Sequence, residues 1–338
     1  MIAICESTIL DFVTDNKYYF TGNNTPAIPT TNFFTVNPLE CGILRLAEYE
    51  TERPDRKFMT SLLYPDKVVI ITGGSSGIGK GCAQEFVKAG SQVVICCNNE
   101  AEGAAVVTGL QDDVRDHSGA ASFVYCDVRK IDEIRNLIET TLSRYGRIDC
   151  LINNAGWHPP HKPIDEFSVE EFRDLLDLNL VSIFAACKFA LPYLRQARGN
   201  IINMASLVAS IGQYHATTYV ATKGAVTGFS KALAVDEAPH GVRVNSVSPG
   251  NIYTPLWQEA IDAAPDPLRY RAEGERAQLL GRLGCAAEVG RLCLFIASAA
   301  TFTTGVDHII SGGAELGYAQ KSRSNGHLRE DQYSLVQS

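Results

Sequence analysis

The stretch KVVIITGGSSGIGKGCAQEFVKAG, residues 67–90, decides the fold of this chain. Its first six residues form a short apolar run rich in β-branched side chains, which is typical of a buried parallel strand. A glycine-rich turn follows, and residues 82–89 then show the amphipathic pattern of a helix that ends at Gly90. A strand, a glycine turn and a helix in this order predict the first unit of a parallel α/β sheet.

The glycines of this turn suit a dinucleotide. Gly73, Gly77 and Gly79 allow a tight turn, a close approach of the backbone and close helix packing. The helix that follows offers unpaired backbone N–H groups to a pyrophosphate. A glycine run alone is often only a turn, but the flanking strand and helix favour a dinucleotide site here.

The alternation of strands and helices continues to about residue 311. Helices are predicted between the strands, including a long one over 170–197 and one that contains Tyr219, whereas 251–284 is predicted to be a loop region. The alternation implies right-handed crossovers and a doubly wound parallel sheet with helices on both faces. The further strands are predicted at 92–97, 122–127, 149–156, 200–204, 242–250 and 306–311.

The two ends of the chain differ from the region between them. Residues 1–58 are rich in Thr, Asn, Pro and Tyr and show little periodicity, while Met59 precedes a natural domain start. We therefore predict a poorly ordered and dispensable extension over 1–58, one folded domain over 59–318 and a flexible tail over 319–338.

Composition limits the classes of function. A formal net charge of −8 does not favour a nucleic-acid partner.

The sequence has ten cysteines and no paired CxxC motifs. Several of the cysteines lie in apolar runs, which predicts buried thiols in a reduced cytoplasmic setting. No apolar stretch is expected to reach the roughly 18 residues of a membrane span. His158 and His161 have no third ligand nearby, so no metal site is predicted.

The stretch SLVASIGQYHATTYVATK, residues 206–223, carries the side chains expected to do chemistry. Tyr219 and Lys223 are four residues apart and share one face of a helix. A phenol has a pKa of about 10, which a nearby ammonium group lowers. Ser206 can orient a substrate oxygen, so the three side chains could move a proton on or off an alcohol or carbonyl. A redox reaction would also need a cofactor, and a plain surface pair on a helix is the alternative.

The end of the second strand bears on the choice between NAD and NADP. NAD sites usually place an acid about 20 residues after the glycine turn, to hold the ribose hydroxyls. Cys97 stands there instead, Glu100 comes a few residues later, and no Arg or Lys is beside them to favour a 2′-phosphate. This pattern favours NAD and leaves NADP open. Asp127, after the third strand, is a candidate for the adenine edge or an ordinary strand-end cap.

Several motifs together resemble the short-chain dehydrogenase/reductase family over residues 60–318. The resemblance implies a single Rossmann-type domain with a seven-stranded sheet, usually in a homotetramer. It also implies that Tyr219 is the acid/base, that Ser206 orients the substrate oxygen and that Lys223 holds the nicotinamide ribose. Asn179 would hold a water in a proton relay, or else be a polar kink in a helix. The motifs are Thr72-Gly73-x-x-x-Gly77-x-Gly79, Asn153-Asn154-Ala155-Gly156, Ser206, Tyr219-x-x-x-Lys223 and Pro249-Gly250.

The resemblance further implies binding residues. The segments NNAGWHPP, GNIINMASLVASIGQ and GGAELGY are similar to family members that oxidise hydroxysteroids or sugars. They imply a substrate pocket that contains His158, Gln213, Trp257 and Tyr318, with a core or loop anchor as the alternative for Trp257. The extension 1–58, extra residues around 111–120 and Cys97 depart from these members. The implied cofactor-binding residues are Gly73, Ser76, Gly77, Ile78, Gly79, Cys97, Asp127, Val128, Asn153, Tyr219, Lys223, Gly250, Ile252 and Thr254.

The expected function is hydride transfer from a secondary alcohol, a hydroxysteroid or a sugar, to NAD, with a ketone or lactone as product and NADP not excluded. One alternative is an NADPH-dependent carbonyl reductase that runs in the opposite direction. A dinucleotide-binding sensor without catalysis is a third possibility. The expected partners are a small-molecule alcohol and further copies of the chain in a homotetramer, with no nucleic acid and no membrane.

Overall fold

A computed structural model describes residues 63–112 and 119–317. The predicted extension 1–58, the tail 319–338 and Tyr318 lie outside the described residues. The strands are β1 (Val68–Thr72), β2 (Gln92–Cys97), β3 (Ala120–Tyr125), β4 (Cys150–Asn153), β5 (Asn200–Met204), β6 (Arg243–Pro249), β7 (Ile252–Tyr253), β8 (Gly284–Cys285) and β9 (Asp307–Ile310). The helices are α1 (Gly77–Lys88), α2 (Glu100–Asp112), α3 (Ile131–Tyr145), α4 (Val169–Leu176), α5 (Ser182–Ala197), α6 (Val208–Ile211), α7 (Thr217–Glu237), α8 (Pro255–Ala263), α9 (Pro267–Arg276) and α10 (Ala286–Ser298).

Seven strands form one parallel sheet in the order β3-β2-β1-β4-β5-β6-β9, and β7 pairs with β8 separately. The chain starts at the centre with β1, runs outward to β3 and then returns to β4 on the other side. The predicted doubly wound, seven-stranded α/β fold is therefore confirmed. The reversal of strand order opens a crevice at the carboxyl ends of β1 and β4, where ligands of such sheets bind.

The sheet is covered by helices on both faces. Val69 and Ile71 of β1 pack with Phe86 of α1 and Val289 of α10 on one side. Ile70, between them, belongs to the opposite layer with side chains of α3, α5 and α7. Because β1 is buried on both faces, its sequence is a continuous apolar run rather than an alternating one.

The structure corrects the prediction of a loop region over 251–284. These residues form β7, α8, α9 and part of β8. Thr254 caps α8 and Asp266 caps α9, each accepting a hydrogen bond from a backbone N–H of the first turn. Pro255 and Pro267 are the first helical residues, where a missing N–H costs nothing, so prolines that suggest a loop in the sequence mark helix starts.

Two other elements differ in detail. β3 begins and ends two residues before its predicted bounds, so Asp127 lies beyond the strand. The predicted long helix is α4 and α5 joined by a π-helical turn over Asp177–Val181. Within its 29 residues, an 18-residue window reaches a mean hydropathy of 1.5, enough for a membrane span by length and composition, contrary to the expectation from the sequence. Its buried side chains pack in the core beside the sheet, as those of a core helix do.

Candidate active site

The glycine turn leaves no room for side chains. Gly73 and Gly77 have φ of +63° and +50°, the left-handed region that favours glycine. A Cβ on Gly79 would lie 2.1 Å from the carbonyl oxygen of Gly73. Ser76 precedes α1 without capping it through its side chain, so the backbone N–H groups of the first turn face outward for another acceptor. The shape of the turn is compatible with a dinucleotide pyrophosphate, and its binding by residues 73–79 stays a prediction.

The loop after β4 fastens this turn to the centre of the sheet. Asn154 donates from Nδ2 to the carbonyl oxygens of Thr72 (3.0 Å) and Gly73 (3.1 Å), and its backbone N–H donates to Oγ1 of Thr72. Asn153 is buried and donates to Oδ1 of Asn203 at 2.8 Å. The side chain of Asn153, a predicted cofactor ligand, thus links β4 to β5.

The segment after β6 also reaches the turn. A Cβ on Gly77 would lie 3.3 Å from Cγ2 of Thr254, which places the start of α8 beside the start of α1. Gly250 is packed against Ser311, where a Cβ would lie 2.9 Å from Cα, and Ile252 is buried in β7. Ile78 packs partly buried against the core. The fold thus gathers predicted cofactor residues that are far apart in the chain.

The expected adenine end holds an internal ion pair. Asp127 accepts from Nε (3.0 Å) and Nη2 (2.7 Å) of Arg129, which holds the pKa of that carboxyl below its usual range. Asp127 also accepts from the backbone N–H of Arg129, the contact expected of a strand-end cap. Cys97 is nearly buried at the end of β2 and donates to the carbonyl oxygen of Asn99 at 3.1 Å. Val128 is buried next to them.

Tyr219, Lys223 and Ser206 meet at the carboxyl end of β5. Lys223 donates from Nζ to the carbonyl oxygen of Met204, the last residue of β5, at 2.8 Å. The same Nζ lies 5.8 Å from the centre of the Tyr219 ring. Ser206 follows two residues after Met204, and its hydroxyl is near enough to the Tyr219 phenol to lower the pKa of that phenol. The pair is therefore no surface pair, because Lys223 is buried.

Burial controls the protonation of both groups. It raises the pKa of Tyr219 to about 12, and the nearby Ser206 hydroxyl opposes that rise. It lowers the pKa of Lys223 to about 8, because an ammonium group loses hydration there. The sequence predicts that Lys223 lowers the pKa of the phenol, but in the structure desolvation raises that pKa.

Asn179 joins three parts of the site. It lies in the π-helical turn, is fully buried and donates from Nδ2 to the carbonyl oxygen of Trp157 (3.0 Å) and to Oγ1 of Thr222 (3.1 Å). Its Oδ1 accepts from the backbone N–H of Trp157 at 3.0 Å. A Cβ on Gly156 would lie 3.0 Å from this Oδ1 and 3.4 Å from Nζ of Lys223. The polar kink considered in the sequence and Lys223 therefore both approach Gly156.

Two predicted substrate residues lie together over the phenol. The ring centres of His158 and Tyr219 are 4.1 Å apart, and Nε2 of His158 is 3.0 Å from Oε1 of Gln213. His161, which the sequence suggests only as a poor metal ligand, stacks on His158 at 5.0 Å. In the described part of the chain, no group of three His, Cys, Asp or Glu side chains is arranged to hold a metal ion.

Trp257 is placed differently. Its ring packs against that of Tyr270, with centres 5.6 Å apart, and a Cβ on Gly274 would lie 2.3 Å from the indole. Both neighbours belong to α9, so Trp257 joins α8 to α9, which favours the anchor considered as its alternative.

Comparison with known proteins finds oxidoreductases. A family model described as Enoyl-(Acyl carrier protein) reductase matches residues 73–315. The chain is 51% identical over 259 residues to L-fucose dehydrogenase of Bos taurus, covering 77% of this chain and 93% of that protein. It is 36% identical over 250 residues to cyclopentanol dehydrogenase of Comamonas testosteroni, with coverage of 73% and 96%. The solved structure of Thermoplasma acidophilum aldohexose dehydrogenase is 33% identical, has a TM-score of 0.68, and covers 78% of this chain and 99% of its own.

Proposed function

The chain belongs to the short-chain dehydrogenase/reductase family and is an oxidoreductase acting on CH–OH groups with a nicotinamide dinucleotide, and from this premise we propose that its substrate is a sugar. In our proposal it oxidises the anomeric hydroxyl of L-fucose or a related aldose to the lactone with NAD. The observation that carries this proposal is the position of the Tyr219 phenol, whose ring centre lies 4.1 Å from that of His158 and 5.8 Å from Nζ of Lys223.

The side chains have separate tasks in this mechanism. Ser206 hydrogen-bonds the substrate hydroxyl and orients it toward Tyr219, and the Tyr219 phenolate accepts the hydroxyl proton. Lys223, held by Met204, provides a positive charge near the phenolate. Gly77, Gly79 and the first turn of α1 would hold the dinucleotide pyrophosphate. When bound, the nicotinamide supplies the hydride acceptor.

Polar partners beside the phenol favour a sugar. A sugar needs several hydrogen-bonding side chains, whereas a sterol needs a long apolar slot. His158 and Gln213 supply such polar groups within one cluster over Tyr219. Two relatives are named for sugar substrates, L-fucose and an aldohexose. The second candidate is a 17β-hydroxysteroid, favoured by the exposed aromatic rings of Trp157 (48%) and Tyr214 (80%) in the same two loops.

One comparison tests this proposal. Purified protein is mixed with NAD and either L-fucose or estradiol, and the absorbance of reduced nicotinamide is followed, with Tyr219→Phe as the inactive control. We expect a larger kcat/KM for L-fucose. If only estradiol is oxidised, the substrate is a steroid and not a sugar. If only carbonyl compounds are turned over, with NADPH, the protein is a carbonyl reductase. If the dinucleotide binds but nothing is turned over in either direction, the non-catalytic sensor is the function that remains.

We also propose NAD rather than NADP as the cofactor. The end of β2 presents the exposed amide of Asn98 and the exposed carboxylate of Glu100, neither of which would neutralise a 2′-phosphate. The next strand-end loop carries Arg129 and Lys130, whose charges are already paired with Asp127 and Glu133 respectively. A titration with both dinucleotides should give the lower Kd for NAD.

A homotetramer in the cytoplasm is the proposed assembly and location. Large apolar side chains are exposed on helices of both faces of the sheet and on its edge strand, namely Phe184 of α5, Phe295 of α10 and Ile309 of β9. Exposed apolar patches of this kind mark interfaces between subunits. Seven described cysteines are buried free thiols, consistent with a reducing compartment. Light scattering coupled to size exclusion measures the assembly, and a monomeric mass would contradict it.

A further inference from the structure

Two histidines and a glutamine form one hydrogen-bonded chain over the Tyr219 ring. Nδ1 of His158 is 2.6 Å from the carbonyl oxygen of Pro159, and its Nε2 is 3.0 Å from the Gln213 side chain. The other end of the Gln213 amide is 3.5 Å from Nε2 of His161. Nδ1 of His161 is 2.9 Å from the carbonyl oxygen of Tyr214. The chain therefore begins and ends at a backbone carbonyl.

These two ends fix where protons must be. A carbonyl oxygen only accepts hydrogen bonds, so both Nδ1 atoms must carry a hydrogen. A neutral imidazole has one N–H, so in two neutral rings both Nε2 atoms would be bare acceptors. The Gln213 amide lies between them and has one donating end and one accepting end. If both rings are neutral, the oxygen of Gln213 therefore faces a lone pair.

The need for one extra proton does not depend on how the Gln213 amide is oriented. With Oε1 toward His158, the Nε2 atom of His158 must carry the extra hydrogen. With the amide reversed, His161 must carry it instead. One additional proton completes every contact of the chain in either orientation, and that proton makes one ring an imidazolium.

We propose that the His158–Gln213–His161 chain holds one proton more than two neutral histidines, and that its positive charge stabilises the phenolate form of Tyr219. His161 is then a positioning residue that acts through Gln213 and His158, since His158 is the ring in contact with Tyr219 at 4.1 Å. This second part rests on the proposed function of Tyr219 as the acid/base, whereas the proton count does not.

The surrounding charges allow this proton. Lys162, next to His161, is paired at 2.7 Å with Glu171 of α4, so its charge is compensated. His215 stacks on the Tyr214 ring, with centres 3.7 Å apart. Lys223 of α7 lies 5.8 Å from the centre of the Tyr219 ring, and its positive charge opposes the added proton.

The proton count is tested by NMR of protein labelled with ¹⁵N-histidine, titrated without substrate. We expect one ring of the pair to show both nitrogens protonated at pH 7. His161→Phe keeps an aromatic ring in the stack but lets Gln213 donate to a neutral His158. In that variant the His158 signal should become neutral at pH 7. His240→Gln, which removes a histidine outside the chain, is the control and should leave both signals unchanged.

A second variant keeps the test decisive if His161→Phe does not fold. Gln213→Glu replaces the amide by a carboxylate that accepts from both Nε2 atoms, so both rings should then hold their second proton at pH 7. Gln213 is exposed, so the fold should tolerate the change. If both wild-type rings are neutral at pH 7, or if neither variant alters their protonation, the proposal is wrong.

The effect on Tyr219 is read from the pH profile of kcat/KM for alcohol oxidation. Without the imidazolium the phenolate forms at higher pH, so the acidic limb of His161→Phe should move up by roughly one unit, about tenfold in rate below that limb. The rate at high pH should remain that of the wild type. An unchanged acidic limb would show that the charge of the His158–Gln213–His161 chain does not affect the protonation of Tyr219. If no alcohol is oxidised at all, the proposed function fails while the NMR result stands.

Discussion

Lys223 donates from Nζ to the backbone carbonyl oxygen of Met204 at 2.8 Å. Because Met204 ends β5, this bond fixes the position of a buried amine relative to the sheet. The amine is also within 5.8 Å of the Tyr219 ring, so the strand end, rather than the helix alone, aligns the lysine with the phenol. The predictions below depend on this arrangement and on the glycine turn beside it.

Tyr219→Phe should remove most of the dehydrogenase activity. The loss of a positioned acid/base typically costs 10²–10⁴-fold in rate, and we expect a fall of about that size in kcat. Dinucleotide affinity should stay nearly intact, because the hydroxyl is needed for proton transfer. Reduced nicotinamide is followed by absorbance and the Kd by titration. Tyr125→Phe, at the exposed end of β3, is the matched control, and a Tyr219→Phe variant with normal turnover would refute the assignment.

Lys223→Met should change how stability depends on pH. The folded state lowers the pKa of Lys223 from 10.5 to about 8, so between these values the unfolded chain binds more protons. The free energy of unfolding should therefore rise with pH from about 8 to 10.5, by up to about 3 kcal/mol from this residue. The variant should lack this rise. Urea unfolding of both proteins at pH 8 and pH 10 measures this rise. An equal change in the free energy of unfolding between the two pH values in both proteins would contradict the prediction.

Gly79→Ala should damage the dinucleotide site. Its Cβ would lie 2.1 Å from the carbonyl oxygen of Gly73, so the turn must shift. We expect weaker binding of NAD and a loss of roughly 1–3 kcal/mol in unfolding free energy. Gly109→Ala is the control, since a Cβ there meets nothing within 4 Å and Ala favours the helix. Thermal unfolding and calorimetric titration measure both effects. Retained NAD affinity in Gly79→Ala would show that the turn does not hold the pyrophosphate.

Asn98→Arg should shift cofactor preference toward NADP. The residue is exposed just after β2, where a guanidinium could pair with a 2′-phosphate. We expect the ratio of the Kd for NADP to the Kd for NAD to fall at least several-fold. Asn136→Arg would introduce the same charge at an exposed position on α3, away from the end of β2, and serves as the control. An unchanged ratio in Asn98→Arg would place the adenosine ribose elsewhere.

Local patterns predict most of the elements because each depends on neighbours in the sequence. The apolar run of β1 and the glycines after it predict a strand and a turn, and both form. The region 251–284 shows the limit of this reasoning. Pro255 and Pro267 are compatible with a loop or with the first position of a helix, and only the caps at Thr254 and Asp266 select the helix.

In the site, too, local spacing predicts some contacts and not others. The spacing of Tyr219 and Lys223 predicts that they share a helix face, which they do. No spacing predicts that His161 and His158 would both contact Gln213, because Gln213 comes from a loop that is distant in sequence from theirs. The position of Trp257 against α9 is open in the sequence, because neither α8 nor α9 is predicted there.

The sequence alone determined the alternating strands and helices, the glycines of the turn and the side chains able to carry out the reaction. These properties follow from periodicity, from backbone freedom and from the chemistry of single residues. The tertiary structure decided which groups are desolvated and which polar atoms meet, and therefore the pKa directions of Tyr219 and Lys223. Desolvation and hydrogen-bond pairing depend on atoms brought together from distant parts of the chain, which a one-dimensional pattern does not encode.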